Sequence, residues 1–139
     1  MLTKLVRLAL CAFMALSTFV GIAKPKNIIL FIGDGMGEAQ IKATEAYFSG
    51  GKKMSFRNFP SQGWMTTHSK DKAITDSAAA ATAMATGIKT NNGYVGRDPQ
   101  AIDQTNIFEL YKMYHRLTGI VTTVSISHAT PAGFAAHQD

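Results

Sequence analysis

The chain has 139 residues, 46% of them apolar and 17% charged, with a formal net charge of +5. That balance excludes a disordered tail, and a single cysteine excludes a disulfide scaffold. The length allows one domain at most, and no run of lysine or arginine exceeds the pair Lys52–Lys53, so a nucleic-acid stripe has no support.

Residues 1–23 have the grammar of an export signal. Lys4 and Arg7 form a basic start, Leu8 to Val20 the apolar core, and Gly21-Ile22-Ala23 a small-x-small cleavage site. The apolar core is 13 residues long, short of the ~20 that cross a bilayer as a helix. An exported protein, periplasmic or extracellular, with no stable membrane anchor is therefore expected. Cleavage after Ala23 removes Cys11 and leaves residues 24–139 free of thiols.

From Lys24 onward, strand and helix signals alternate. Ile28-Ile29-Leu30-Phe31-Ile32 is a solid apolar run suited to a strand covered on both faces. Gly33-Asp34-Gly35-Met36-Gly37 breaks it, and a helix is expected over Glu38–Phe48, ended by Gly50-Gly51. Gly63 to Thr67 suits a second strand. The alanine-rich stretch Ser77–Thr86 is the best local helix former, closed by Gly87. Thr90 to Gln104 is turn chemistry and predicts a surface loop. Asn106 is placed to cap a helix through Arg116, with Ile107, Leu110, Tyr111 and Tyr114 on one face. Gly119 to Ser127 suits a third strand, and Thr130-Pro131 opens a last helix with proline in its first turn. This alternation predicts an α/β fold, a mostly parallel sheet flanked by helices.

In open α/β sheets, ligands bind beyond the carboxyl ends of the strands. Three expected strand ends carry polar groups. Asp34, between glycines, is either an ordinary Asp-Gly turn or a carboxylate ready for a cation. Asp76-Ser77 either caps the alanine helix or sets a serine hydroxyl where free N–H groups and the helix dipole favour an alkoxide or phosphate. No histidine lies near Ser77 in sequence, so activation of its hydroxyl falls to a metal. In Ser127-His128-Ala129-Thr130-Pro131, His128 and Thr130 share one side of an extended segment and could reach a cation directly or through water. A lone histidine is more often structural. Nothing near His137 singles it out, and His68 and His115 read as surface.

Taken together, GDGMG, TDSAAAATAMATG and SHATP resemble the alkaline phosphatases in order and spacing. The middle segment is the specific one: Ile74, any residue, Asp-Ser, four small residues and Thr82. The resemblance runs from about Asn27 to His137. It implies a three-layer sandwich with helices on both faces of the sheet, two Zn2+ and one Mg2+ in the complete enzyme, and hydrolysis of phosphate monoesters through a phosphoserine. By the same resemblance Ser77 is the nucleophile and a zinc ligand, and Asp34 bridges zinc and magnesium. Asp76 orients the serine and the phosphate-binding arginine, and Thr130 serves magnesium. Some members of the family carry aspartate where His128 stands, which places His128 in the magnesium region, acting through water or shifting that site toward a softer metal. The complete enzyme is expected to be a homodimer.

Family members run to several hundred residues, with most zinc ligands and the phosphate-binding arginine beyond the region matched here. Residues 24–139 are therefore expected to be the N-terminal part of a catalytic domain, incomplete as a sheet and inactive alone. Other readings are a metal-dependent phosphodiesterase, phosphomutase or sulfatase of the same fold, and a non-catalytic phosphate binder.

Overall fold

The computed structural model describes residues 26–48 and 50–138. The expected export signal lies outside the described residues. Two compact units divide the chain, Met1–Ile32 and Gly33–Asp139. Of the first, only residues 26–32 are described, and they hold no regular secondary structure. Among the described residues no helix is long and apolar enough to cross a membrane.

The second unit contains four α-helices among its described residues: α1 Glu38–Phe48, α2 Ser77–Thr86, α3 Ile107–Met113 and α4 Ala129–Ala132. A 3-10 turn, Ser55–Asn58, follows α1. The strands expected at 28–32, 63–67 and 119–127 are not formed; pairing among the described residues is confined to the isolated bridges Val95–Gln138 and Arg97–Asp103. A strand requires a neighbour for its backbone N–H and C=O groups, so a strand-like composition alone does not make one.

The central element is α2. Its alanines have the highest helix propensity, and both ends are closed locally. Asp76 is the N-cap: its Oδ1 accepts from the amide of Ala79 at 2.8 Å, and its Oδ2 from the amide of Gly93 at 2.6 Å. Gly87, at φ 78°, closes the other end with its amide on the carbonyl of Ala83. Ala78, Ala79, Ala81, Thr82 and Ala85 are buried. Ala81 and Ala85 form the core with Phe134, and Met84, Ile107, Phe108 and Ile120 pack around them. Phe108 and Phe134 meet with ring centroids 5.8 Å apart.

The small side chains of α2 let α4 come close. A β-carbon placed on Gly133, just past α4, would lie 2.6 Å from the Cβ of Ala81. α4 starts one residue earlier than expected, at Ala129, and Pro131 still falls in its first turn, where a missing N–H costs nothing.

α3 is closed by a capping box. Asn106 Oδ1 accepts from the amides of Phe108 and Glu109, and Glu109 Oε2 accepts from the amide of Asn106. It ends at Met113 rather than at the expected Arg116. His115 there adopts a left-handed φ of 55°, and the amide of Arg116 turns back to the carbonyl of Tyr111. The apolar face is also shifted: Ile107 and Phe108 meet the core, while Leu110 and Tyr114 stay exposed.

The stretch from Thr90 is not the free surface loop its composition suggests. Thr90 and Gly96 are buried. Thr82 Oγ1 donates to the carbonyl of Tyr94 at 3.1 Å and accepts from the amide of Gly96 at 2.9 Å. The amide of Asp76 donates to Asn92 Oδ1 at 3.1 Å. Turn residues fill this segment because its backbone curls along α2 and finds its partners there.

α1 buries no residue and is held from outside. Arg57, in the 3-10 turn, pairs through Nε with Glu45 at 2.7 Å and through Nη2 with Glu38 at 2.9 Å.

Two outcomes are expected in the full-length protein, both read from denaturant unfolding. Gly133→Ala forces a methyl into Ala81 and should cost about 1–3 kcal/mol, the usual range for overpacking. Asp76→Asn presents one oxygen to two amide donors and should cost about 1 kcal/mol. An unchanged midpoint in either variant contradicts the packing or the capping described.

Candidate active site

Asp34 sits in a tight turn where Gly35 takes φ 67°, a conformation that favours glycine. The amide of Met36 bonds to the carbonyl of Gly33 at 3.2 Å. Both possibilities for Asp34 therefore meet in one place, since the turn exists and it presents the carboxylate to two other segments. Ser77 Oγ, at the first residue of α2, donates to Asp34 Oδ2 at 2.9 Å. Thr130 Oγ1, in α4, donates to the same oxygen at 2.5 Å. Three sequence-predicted site residues thus share one carboxylate, across separations of 43 and 96 positions.

Those hydroxyls favour the ionised carboxylate. The hydrogen bond from Thr130, then that from Ser77, hold the Asp34 carboxyl below its ordinary value; the charge of His128 and the amide of Gly35 act in the same direction. Asp34 itself is exposed. A solvent-facing carboxylate flanked by two hydroxyl oxygens is an all-oxygen donor set, suited to a hard divalent cation. Among the described residues no group of three His, Cys, Asp or Glu side chains converges as a complete metal cage.

The other two sequence-predicted residues stand differently. Both carboxylate oxygens of Asp76 serve backbone amides, so its contact with Ser77 runs through the helix cap. His128 is the residue before α4, its amide bonds to the carbonyl of Ser125 at 2.9 Å, and its side chain is exposed.

One residue with a defined setting escaped the sequence reading. His137 Nδ1 lies 2.8 Å from the carbonyl of Gly96, and Nε2 lies 2.9 Å from Glu109 Oε1. The Glu109 carboxylate, then the Gly96 carbonyl, raise its pKa above the ordinary histidine value, and His137 in turn is the main cause that lowers Glu109. The spacing Asn106-x-x-Glu109 could have marked the capping box, but nothing in sequence joins either residue to His137.

The family described as alkaline phosphatase matches residues 25–139. Alkaline phosphatase 4 of Bacillus subtilis (strain 168) is 40% identical over 124 residues, covering 84% of this chain and 27% of that protein. The structure of alkaline phosphatase from the Antarctic bacterium TAB5 superposes with a TM-score of 0.76 at 42% identity, covering 82% of this chain and 33% of that one. A histidine-to-aspartate variant of the TAB5 enzyme, with Mg bound in its M3 site, superposes equally well at 41% identity, covering 82% and 32%. The chain therefore spans about a quarter to a third of the relatives it matches. With nearly the whole described region matched in sequence and in fold, the chain belongs to the alkaline phosphatase family.

Proposed function

We propose that the full-length protein hydrolyses phosphate monoesters in a metal-dependent reaction through a phosphoserine at Ser77. The observation that carries this reading is the shared hydrogen bonding of Ser77 and Thr130 to the Asp34 carboxylate, at the N-terminus of the ten-residue helix α2. Ser77 Oγ forms the new bond to phosphorus as the P–O ester bond breaks; the serine proton passes to solvent water and the ester oxygen leaves as the alcohol, taking a proton from water. Water then splits the phosphoserine and returns the free hydroxyl. Free amides and the dipole of α2 favour the negative charge gathered at this point.

Asp34 is a poor place to leave the serine proton, because its neighbours hold its proton affinity low. Its part is to aim the Ser77 hydroxyl and to remain anionic. Two zinc ions and one magnesium ion, when bound, supply the Lewis-acid charge that turns a serine hydroxyl into a nucleophile. In this reading Asp34 would help hold zinc and magnesium, Ser77 zinc and Thr130 magnesium, with His128 in the magnesium region acting through water. Binding of Mg in the M3 site of a histidine-to-aspartate relative supports a magnesium site in this family. Asp76 orients Ser77 through the cap and, in the complete enzyme, the arginine that holds phosphate.

The same reading places a mostly parallel, three-layer sheet in the whole protein, with residues 24–139 as the first part of its catalytic domain. It also takes residues 1–23 as a cleaved export signal, places the mature protein in the periplasm or outside the cell, and makes the complete enzyme a homodimer. One carboxylate and one hydroxyl, those of Asp34 and Ser77, fall short of the roughly three protein ligands of a catalytic zinc, so residues 24–139 alone are expected to be inactive.

Two measurements on the full-length protein test it. Ser77→Ala should cut kcat by roughly 10^3–10^6 and abolish label trapped at acidic pH from radioactive phosphate. Label on another residue, or an active Ser77→Ala enzyme, overturns the assignment. Asp34→Asn should remove more metal than Asp76→Asn does, as read by elemental analysis, because Asp34 faces two cations while both oxygens of Asp76 serve amides. Equal losses refute the division of roles.

A further inference from the structure

The segment that carries Thr130 ends on His137, and the ring of His137 is held by two acceptors. One is the backbone carbonyl of Gly96 at 2.8 Å, the other Glu109 Oε1 at 2.9 Å. A neutral imidazole has one N–H and can satisfy one of them; only the imidazolium donates to both. On either side the backbone is already in register, since Val95 and Gln138 exchange both of their N–H···O bonds at 2.7 Å. No bulkier residue than glycine fits at position 96, where a β-carbon would lie 2.3 Å from the carbonyl oxygen of Ala136 and 2.6 Å from His137 Nδ1.

Each partner of His137 leads back to the site. Gly96 donates its amide to Thr82 of α2, one turn and a half from Ser77. Glu109 uses its other oxygen to cap α3, which packs on α2. We propose that His137 is a positioning residue for the Asp34–Ser77–Thr130 site, its doubly donating ring fixing the Thr130 segment to the loop and helix that hold Ser77. This role rests on the phosphatase reading above.

The charges facing the ring come from two elements. On α3 it meets Glu109, with Lys112 beside that carboxylate; from the loop it senses Asp103, which is paired with Arg97 at 2.7 Å. The hydrogen bond to Glu109, then the Gly96 carbonyl, with the negative charges of Glu109 and Asp103, make the ring easier to protonate than a free histidine. A histidine raised in this way contributes its full stabilisation below about pH 6.5, the unfolded value, and loses it as pH rises through the higher folded value. The lock is therefore complete in acid and reduced to one hydrogen bond in alkali.

The test uses the full-length protein and its His137→Gln and Glu109→Gln variants between pH 6 and 9. Glutamine keeps a single donor nitrogen, which cannot take both positions of the ring nitrogens, and does not titrate. Mg2+ affinity, measured by calorimetry, should fall with rising pH in the wild type by about tenfold more than in His137→Gln, the worth of one charged hydrogen bond. Glu109→Gln should move the midpoint of that fall to lower pH. In metal-free protein, the gap in melting temperature between wild type and His137→Gln should be widest near pH 6 and close towards pH 9. Parallel pH profiles for wild type and His137→Gln, in binding and melting alike, overturn the proposal. If phosphate labels Ser77 while those profiles are parallel, this positioning role fails and the phosphatase reading stands. If Ser77 is not labelled, the reading beneath it has failed.

Discussion

The contact between Gly133 and Ala81 is the constraint on which the rest of the described structure depends. Ser77 and Thr130 can share one carboxylate only if their two helices start side by side. Any side chain at 133 would push them apart, since even a methyl would meet the Cβ of Ala81 at 2.6 Å. The alanines of α2 thus serve two ends at once: they form a helix readily, and they leave a surface flat enough for a second backbone to rest on. Hydrophobic burial here is modest per residue, and close fit takes the place of bulk.

Polar groups finish what the small residues begin. Thr82 is fully buried, and such a hydroxyl is costly without partners. It has two, Tyr94 and Gly96, both from the loop alongside. Asp76 adds Gly93 to the same seam. The loop is therefore a splint along α2, fixed at Gly93 by the helix cap and over Tyr94–Gly96 by Thr82 and by the chain around His137.

The sequence disclosed most clearly whatever is settled within a few residues. α1 and α2 lie where their caps, glycines and propensities put them, and Asp34, Ser77 and Thr130 each stand in a short motif that marks them. Long-range effects were hidden. The apolar runs at 28–32, 63–67 and 119–127 spell strands, yet pairing depends on a neighbour that no local pattern specifies. α3 stopped early because His115 took a left-handed turn that its residue type does not advertise. The loop from Thr90 looked free because its composition describes turns and says nothing of what they lean on. His137 was passed over for the same reason, its partners being 28 and 41 positions away.

The reach of Asp34 also has a consequence for the order of folding. Helix α2 and its cap close over three or four residues, which is fast and costs little chain entropy. The bonds from Ser77 and Thr130 to Asp34 close loops of 43 and 96 positions, and each needs its helices already in place. The Asp34–Ser77–Thr130 constellation is therefore expected to form late in folding, assembled on a scaffold that forms before it. Substitutions confined to Asp34, Ser77 or Thr130 fall on the native side of the barrier, altering how long the folded state lasts more than how quickly it is reached.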